Sequence, residues 1–317
     1  MPYQENRLRI GYLSTVYHTS FVLQGTETLQ ALGIQAEWTL HPSGPDIVNA
    51  MREGSLDLGY IGLPPVIIGI DRGAALRCIA GGHIEGTVGI AGEEWKALDE
   101  CAGVPAFLSQ FKGTAIGCPP KGSIHDVIVN DLLRRYGIDD IRVINYPWAD
   151  FIPDALLNGE ISAAAGTPAL AVTARRYANA RIVMPADVVW PYNPSYGIIA
   201  AGEVAEHAAL FSRFLRAHEE ACEFIRHDPH GAARIVSRVT GGMVDPGFVM
   251  EAYTISPKYC AALPREYIAS TMRFVEALAA AGYISGPIPE KRIFDTTLID
   301  EVHRAPPHYE AGLNLSP

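Results

Sequence analysis

Several features are absent from this 317-residue sequence, and their absence narrows the class of protein. No apolar run of about 18 residues occurs, so no membrane-spanning helix is expected. The first ten residues, MPYQENRLRI, lack the charged and apolar regions of a secretory signal, which predicts either a cytosolic protein or the mature form of an exported one. No basic run occurs and the formal net charge is −10, which argues against nucleic acid as a partner.

Cysteine is scarce, and its spacing is uninformative. The five cysteines are odd in number and widely separated, and no C-x-x-C occurs: Cys78, Cys101, Cys118, Cys222 and Cys260. Neither a zinc site nor a disulfide framework is predicted from this pattern. The cysteines are expected to be small buried side chains, and no metal or cofactor is assigned.

What the sequence does contain is an alternation of short apolar strands with helices of 8 to 15 residues. This alternation predicts βαβ units and parallel sheets, hence an α/β fold. Strands are predicted at 8–13, 35–40, 56–61, 76–80, 114–118, 141–146, 161–165 and 181–184, and two connecting strands at 88–92 and 197–201. The first long helix is expected at 20–32, and the chain from 203 onward is expected to be mainly helical.

Two segments of the chain follow the same pattern. The segment NAMREGSLDLGYIGLPPV at 49–66 and the segment DALLNGEISAAAGTPAL at 154–170 both read as a helix, a glycine stop, a short strand and a Pro-containing turn into a new helix. The length also suits two domains. We therefore predict two similar lobes, lobe one at 1–90 and 198–317 and lobe two at 91–197, hinged at the two connecting strands.

These segments, together with LRIGYLS at 8–14 and FKGTAIGCPPKGSIHDVIVNDLLRRYGI at 111–138, resemble a known family. The sequence resembles the type II periplasmic-binding-protein fold of the nitrate, sulfonate, taurine and thiamine-precursor group of ABC-importer substrate-binding proteins. The resemblance covers roughly residues 8–230 and implies a two-lobed clamshell of mainly parallel sheets with a helical C-terminus. Because one such scaffold holds many ligands, the resemblance leaves the ligand open.

The resemblance also implies that the ligand contacts the loops that follow the strands. In lobe one the corresponding positions are Ser14, Tyr17, His18, Thr19, His41, Ser43, Gly62, Leu63, Pro64 and His83. In lobe two they are Lys121, Gly122, Ser123, His125, Trp148, Asp150, Gly166, Thr167, Trp190, Tyr192 and Tyr196. Leu63 and Pro64 are expected to form an apolar wall of the site.

The segment Lys121–Gly122–Ser123 has chemistry of its own that suits an anion. A Gly-Ser pair at the start of a helix presents free N–H groups and a hydroxyl at the positive end of the helix dipole, which favours a carboxylate, sulfonate or phosphate. The alternative is that Ser123 only caps the helix, with Lys121 in solvent.

Four of the ten histidines fall in predicted strand-end loops: His18, His41, His83 and His125. Imidazoles there could hydrogen-bond an oxyanion, or several together could ligate a transition metal. Polar loops also accumulate histidine without function. The aromatic residues Trp148, Trp190, Tyr192 and Tyr196 could stack on a ring-bearing ligand, or could only stiffen their loops.

The function predicted is that of an ABC-importer substrate-binding protein that binds a small polar or anionic ligand by hinge closure. Its expected partners are the ligand and, if it is exported, a permease, and we expect a monomer in the periplasm or anchored outside the membrane. The alternatives are a cytosolic enzyme on the same fold, acting on a small metabolite with His and Asp150 as acid and base, or a ligand sensor. No G-x-S-x-G motif or cysteine-rich run supports nucleophilic catalysis.

Overall fold

The computed structural model describes residues 6–315, which form two five-stranded sheets with helices around them. The strands are β1 (Arg7–Tyr12), β2 (Gln35–Leu40), β3 (Leu58–Ile61), β4 (Leu76–Ile84), β5 (Val88–Gly92), β6 (Ala115–Cys118), β7 (Arg142–Asn145), β8 (Ala163–Gly166), β9 (Ala180–Met184) and β10 (Pro194–Ala201). The α-helices before residue 200 are α1 (Thr19–Gln24), α2 (Thr28–Ala31), α3 (Gly44–Arg52), α4 (Leu63–Asp71), α5 (Val104–Ser109), α6 (Ile124–Arg135), α7 (Ile152–Leu157), α8 (Pro168–Tyr177) and α9 (Ala186–Val189). The later ones are α10 (Ala208–His227), α11 (Pro229–Val239), α12 (Pro246–Ile255), α13 (Arg265–Ala280), α14 (Glu290–Ile293) and α15 (Thr297–Val302).

The two sheets have the same internal order. The first sheet runs β2-β1-β3-β10-β4 and the second runs β7-β6-β8-β5-β9. In the first sheet β1 pairs in parallel with β2 and β3, because helices carry the chain back between them, whereas β10 pairs antiparallel with β3 and β4. In the second sheet β6 pairs in parallel with β7 and β8, and β5 pairs antiparallel with β8 and β9. The α/β fold predicted from the sequence is therefore confirmed, with one antiparallel strand inserted into each sheet.

The central strands of the first sheet are buried on both faces. All four residues of β3 are buried, as expected of a strand covered by helices on both sides. One face is covered by α10, where Phe214 and Leu215 are fully buried and the Phe214 ring meets Tyr60 of β3 edge-on. The helical C-terminus thus completes the core of the first sheet.

The helix predicted at 20–32 is interrupted in the structure. It consists of α1 and α2, separated at Gly25, which ends α1. A Cβ atom at Gly25 would lie 2.3 Å from Ile235 Cγ2, so the glycine allows α11 to pack closely at the break. Most other predicted elements differ from the observed ones by a few residues at their ends, and the short helices α5, α9 and α14 have no counterpart in the prediction.

Two segments connect the sheets, 85–87 between β4 and β5 and 185–193 between β9 and β10. Glu85 and Tyr192 both have positive φ angles, 60° and 57°, which are uncommon for residues other than glycine. The segments are joined by hydrogen bonds from Tyr192 N–H to Glu85 Oε1 (3.0 Å) and from Glu85 N–H to the Asn193 carbonyl (2.6 Å). Within residues 6–315, no helix has the length and apolarity needed to cross a membrane.

Candidate functional site

A cavity of about 100 Å³ lies where strand ends of the two sheets face each other. Its walls come from the loops after β1, β2 and β3 of the first sheet and after β6, β7 and β8 of the second, with one residue of β10. Loops at the carboxyl ends of strands are the usual ligand-binding position in open α/β sheets. Ten predicted site residues line this cavity: Ser14, Tyr17, His18, Ser43, Gly62, Ser123, His125, Trp148, Asp150 and Thr167.

Four helices of nine or more residues begin at this cavity. Their N-cap residues are Ser43 of α3, Gly62 of α4, Ser123 of α6 and Thr167 of α8, and all four line the wall. The first N–H groups of a helix have no partner within the helix, and they form the positive end of its dipole. The positive ends of these helix dipoles favour an oxyanion or another hydrogen-bond acceptor in the cavity. Prolines in the first turns of α3, α4 and α8 reduce the number of free N–H groups there, so α6 offers the most.

The start of α6 is held in place by one buried carboxylate. Asp126 accepts hydrogen bonds from the Gly122 N–H (2.8 Å) and from the side-chain amides of Asn130 and Asn145 (both 2.9 Å). Its own N–H donates to Ser123 Oγ (3.3 Å). Gly122 has a φ of +81°, which glycine adopts without strain. The Ser123 hydroxyl is thus both a helix cap and part of the cavity wall, which combines the two alternatives drawn from the sequence.

The protonation of His125 is set by a chain of hydrogen bonds. The Asn193 side-chain amide donates to Thr87 Oγ1 (3.1 Å), and Thr87 Oγ1 lies 3.0 Å from His125 Nδ1. Since the Thr87 oxygen already accepts from Asn193, its hydroxyl proton is available to donate to His125 Nδ1. Burial lowers the pKa of His125 to about 3, so its ring is neutral at pH 7. When Thr87 donates to Nδ1, the proton of His125 lies on Nε2, and that nitrogen is then a hydrogen-bond donor.

His18 is the second neutral imidazole of the cavity. Its ring is 2% exposed and lies against Tyr196, with ring centroids 4.0 Å apart. Burial, with smaller contributions from His83 and His218, holds the pKa of His18 well below its usual value. Its Nδ1 atom is buried and has no hydrogen-bond partner among residues 6–315. An unpaired buried ring nitrogen in a cavity wall is a position where a ligand atom would complete the hydrogen bonding.

Tyr17 and Ser195 form the base of the cavity beneath His18. Tyr17 Oη lies 3.1 Å from Ser195 Oγ, and both residues line the wall. Gly86, in the first connection between the sheets, passes directly behind them. A Cβ atom at Gly86 would lie 2.0 Å from Ser195 Oγ and 3.0 Å from Tyr17 Oη, so only glycine leaves this pair undisturbed.

The residues that line the cavity include no lysine or arginine. The one carboxylate among them is that of Asp150, an exposed residue at the rim. Lys121, predicted to contact the ligand, is exposed and lies over the Tyr283 ring, 5.8 Å from its centroid. Any negative charge on a ligand would therefore be met by helix N-termini and neutral donors instead of by a cationic side chain.

Eleven predicted site residues do not line this cavity: Thr19, His41, Leu63, Pro64, His83, Lys121, Gly122, Gly166, Trp190, Tyr192 and Tyr196. Several of them lie in the core behind the wall. Leu63 and Pro64, predicted to form an apolar wall, are buried in the first turn of α4, whereas Gly62 and Pro65 line the cavity.

The aromatic residues of the loop 190–196 pack within the protein instead of facing the cavity. Trp190 is buried, stacks on Phe274 with centroids 4.3 Å apart, and donates from Nε1 to Ser270 Oγ (3.0 Å). The Tyr196 hydroxyl lies 3.0 Å from Thr19 Oγ1, so these two residues satisfy each other beneath His18. Tyr192 is half-buried and meets the Tyr309 ring edge-on.

His83 and His41, the other two histidines predicted to face the ligand, do not line the cavity. His83 is fully buried, with Nε2 at 2.8 Å from the Ser256 carbonyl. His41 lies beside the cavity, and burial lowers its pKa against an opposing contribution from Asp46. Within residues 6–315, the cavity contains no group of three His, Cys, Asp or Glu side chains placed to hold one metal ion.

The sequence reasoning missed eleven residues of the wall, most of which flank residues that it chose: Leu13, Thr15, Pro42, Gly44, Pro45, Pro65, Pro119, Pro120, Ile124, Ala149 and Ser195. Including every residue of each predicted strand-end loop would have identified most of them. Ser195 is the second residue of β10, in a segment from which only the aromatic residues Trp190, Tyr192 and Tyr196 were chosen. Thr87 and Asn193, which orient His125, could not be found from sequence because they meet only in the folded protein.

A wider outer cavity of about 410 Å³ adjoins the first one. The two share Ser14, Thr15, Ala149, Asp150 and Thr167. The outer cavity extends between α8 and the start of α12, where Arg176 pairs with Asp245 (2.8 Å) and Glu251 (2.6 Å). A ligand larger than a simple oxyanion would have room in this direction.

Comparison with known proteins gives a family and a fold. A model described as the NMT1-like family matches residues 2–240. Two curated relatives, from Brucella abortus (strain 2308) and Brucella suis biovar 1 (strain 1330), are named as candidate binding proteins. Each is 25% identical over 238 residues, which cover 73% of this chain and 70% of the relative.

Several solved structures share the fold. The ligand-binding component of an ABC-type import system from Staphylococcus aureus, with zinc bound, has a TM-score of 0.77, 15% identity and coverage of 95% of this chain and 100% of that chain. The aliphatic sulphonate binding protein SsuA from Escherichia coli has a TM-score of 0.76 and 19% identity, and the match covers 91% of this chain and 97% of that chain. The nitrate-binding protein NrtA from Synechocystis PCC 6803 has a TM-score of 0.75 and 12% identity, and the match covers 98% of this chain and 92% of that chain. The two-lobed periplasmic-binding-protein fold expected from the sequence is thereby confirmed.

Proposed function

This chain belongs to the NMT1-like family, and we propose that it is the substrate-binding protein of an ABC importer, which binds a small polar or anionic ligand between its two sheets. One observation carries the proposal: four helix N-termini and two neutral histidines meet in one cavity that no lysine or arginine lines. Such a site binds by hydrogen bonds from preformed donors.

The chemistry of the wall favours a ligand with a single oxyanion group. Gly44, Ile124 and His125 are the first residues of their helices and line the cavity, so their N–H groups are candidate donors beside His125 Nε2–H. Asp150 at the rim would repel a second negative charge and would attract an N–H or ammonium group. A sulfonate, a monocarboxylate or nitrate fits this arrangement. The names of the solved structures from Escherichia coli and Synechocystis, which describe sulphonate and nitrate binding, are consistent with it.

Closure is proposed to occur about the two connections, 85–87 and 185–193. Under this proposal lobe one consists of 6–84 with 194–315 and lobe two of 88–184. These boundaries lie a few residues from those drawn from the sequence, 1–90 with 198–317 and 91–197. The ligand would bind the loops of one sheet first, and the start of α6 at Ser123 and His125 would then close over it. Because the ligand bridges both sheets, it favours the closed state, and the closed surface is the form proposed for recognition by a permease. A periplasmic location is proposed with this function.

The proposal is tested by a binding screen combined with a search for turnover. Sulfonates, monocarboxylates, nitrate and neutral pyrimidines would be screened by thermal shift, and hits would be titrated by calorimetry. At a ligand concentration of 100 times Kd, binding should stabilise the fold by about 2.7 kcal/mol and raise Tm by roughly 3–6 °C. The ligand recovered after prolonged incubation should be chemically unchanged by mass spectrometry. Conversion of the ligand would contradict a carrier function and favour an enzyme on the same fold.

A further inference from the structure

A group of four potential metal ligands lies outside the cavity, near the C-terminus. Glu219, Cys260, His303 and His308, called here the C-terminal cluster, bring one ligand atom each within 4.8 Å of one another. They come from four different parts of the chain: α10, the segment after α12, the end of α15 and the tail that follows. None of the four lines the ligand cavity, so the cluster is independent of the proposed function.

The distances within the C-terminal cluster match those around a four-coordinate ion. His303 Nε2 lies 3.3 Å from Cys260 Sγ and 3.2 Å from His308 Nδ1. Glu219 Oε1 lies 3.6 Å from His303 Nε2 and 3.6 Å from His308 Nδ1. Ligands bound tetrahedrally to Zn²⁺ at about 2.0–2.3 Å are separated from one another by roughly 3.3–3.8 Å.

His303 Nε2 has more polar neighbours than one proton can serve. It approaches a sulfur, a nitrogen and a carboxylate oxygen at once, and a single N–H can serve only one of them well. All four ligand atoms have a lone pair once their protons are lost. A cation at their centre would accept one lone pair from each of them.

The surroundings orient the ligand atoms in the way seen around protein metal sites. Glu219 Oε2 accepts from the Ala261 N–H (2.8 Å), which leaves Oε1 facing the cluster. Cys260 Sγ accepts from the His308 N–H (3.3 Å), a bond that holds the sulfur beside His308. Cys260 is fully buried and the His303 side chain is 3% exposed, whereas the His308 side chain is 37% exposed and gives an ion a route of entry.

Arg226 is the competing cation at this place. Its Nη2 lies 3.4 Å from Glu219 Oε1 and 3.3 Å from His308 Nδ1, and its Nη1 donates to the Tyr259 carbonyl (2.8 Å). Without a metal, Arg226 therefore donates to two of the cluster atoms. With a metal, Arg226 would keep its bond to Glu219, whose charge it offsets, and would lose the contact with His308 Nδ1.

We propose that the C-terminal cluster binds one Zn²⁺ ion through Glu219 Oε1, Cys260 Sγ, His303 Nε2 and His308 Nδ1. Thiolate and imidazole ligands in a closed tetrahedral set are typical of structural zinc. Binding transfers the Cys260 thiol proton, and any proton on the ligating imidazole nitrogens, to solvent or to the other ring nitrogen. The ion links α15 and the tail to α10 and to the segment that contains Cys260. That segment runs beside β4, because the Ala261 carbonyl accepts from the Gly81 N–H (2.7 Å).

The test is a metal titration of the full chain after treatment with a chelator. Zn²⁺ should bind with a stoichiometry of one, release protons and raise Tm. Co²⁺ should give the ligand-field bands of tetrahedral coordination and a thiolate charge-transfer band. Cys260→Ser should abolish the charge-transfer band and weaken Zn²⁺ binding by at least about tenfold, whereas Cys101→Ser, at a half-buried cysteine outside the cluster, should behave as the parent chain.

Should Cys260→Ser fail to fold, His308→Ala provides a second variant at a half-exposed position, and it too should weaken Zn²⁺ binding at least about tenfold while the thiolate band remains. The proposal is overturned if the parent chain binds no stoichiometric Zn²⁺, if Co²⁺ gives an octahedral spectrum without a thiolate band, or if the cluster variants bind Zn²⁺ as the parent does. In the last case the ion is bound elsewhere, including at the cleft histidines.

Discussion

Lowering the pH from 7 to 5 is expected to remove roughly 4–8 kcal/mol from the free energy of unfolding, because four histidines are buried in their neutral form. Burial lowers the pKa of His125 to about 3 and those of His83 and His218 to about 4, and it holds the pKa of His18 well below its usual value. In the unfolded chain the same side chains titrate near pH 6.5.

The direction follows from the protons that each state binds. Below about pH 6.5 the unfolded chain gains nearly one proton on each of these histidines, while the folded chain gains almost none until about pH 4. Acid therefore favours unfolding throughout this window, at about 2 kcal/mol for each histidine by pH 5. Glu100, Asp245 and Glu251 have lowered pKa values, so their stabilising contributions are lost mainly below pH 5, outside the window.

Urea denaturation at pH 7, 6 and 5 measures this dependence. The free energy of unfolding should fall more steeply as the pH decreases, with an uptake of about three to four protons on unfolding near pH 5. His125→Leu should reduce that uptake by about one proton. A free energy of unfolding that changes by less than about 1 kcal/mol over the range would mean that these rings are protonated or solvated in the folded chain.

Replacing His125 with leucine is expected to weaken binding of the ligand by about 10–100-fold. The change removes the Nε2–H donor at the start of α6 and substitutes an apolar side chain of similar size. A hydrogen bond to a charged group contributes about 1.5–3 kcal/mol, which corresponds to that loss of affinity. Calorimetric titration with the ligand identified by the screen measures it.

Two further variants distinguish a direct contact of His125 with the ligand from a general effect of replacing a histidine. Thr87→Val keeps the His125 ring but removes the hydroxyl that fixes its tautomer, so a smaller loss, about 2–10-fold, is expected. His227→Leu changes a histidine that is 68% exposed on α10 and should leave affinity unchanged. If His125→Leu binds within about twofold of the parent chain, His125 does not donate to the ligand.

The fold could be predicted from the sequence to a large extent, because its determinants are local. The glycine stops at Gly54 and Gly159 and the prolines at Pro64 and Pro168 mark where helices end and begin, and the structure has elements at those positions. The antiparallel insertion of β10 could not be predicted in the same way. It pairs with β3 and β4 across more than 100 residues of sequence, and no local pattern encodes that partner.

For the site, the sequence identified the right loops but not always the right side chains. Ser43, Gly62, Ser123 and Thr167 were identified because they follow predicted strands, and only Ser123 was also recognised as a helix cap. For α3 the sequence predicted Asp46 as the cap, whereas Ser43 caps the helix and accepts from the Asp46 N–H. Which neighbours turn inward depends on packing: Tyr196 lies under His18 and Trp190 lies on Phe274. The C-terminal cluster could not be predicted from the sequence for the same reason: its four residues meet only through tertiary contacts, and its cysteine belongs to no C-x-x-C pattern.

The most direct test of the proposed binding site is a titration of two tryptophan variants with the ligand found by the screen. Thr15 is half-buried and lines both the inner and the outer cavity, so Thr15→Trp should fill the entrance without disturbing the core. Glu53→Trp places the same ring at an exposed position, at the opposite end of α3 from its cap at Ser43. The account predicts that Thr15→Trp folds but binds no ligand, and that Glu53→Trp binds as the parent chain does. Unchanged affinity in Thr15→Trp would contradict it and would locate the ligand outside the cavity between the sheets.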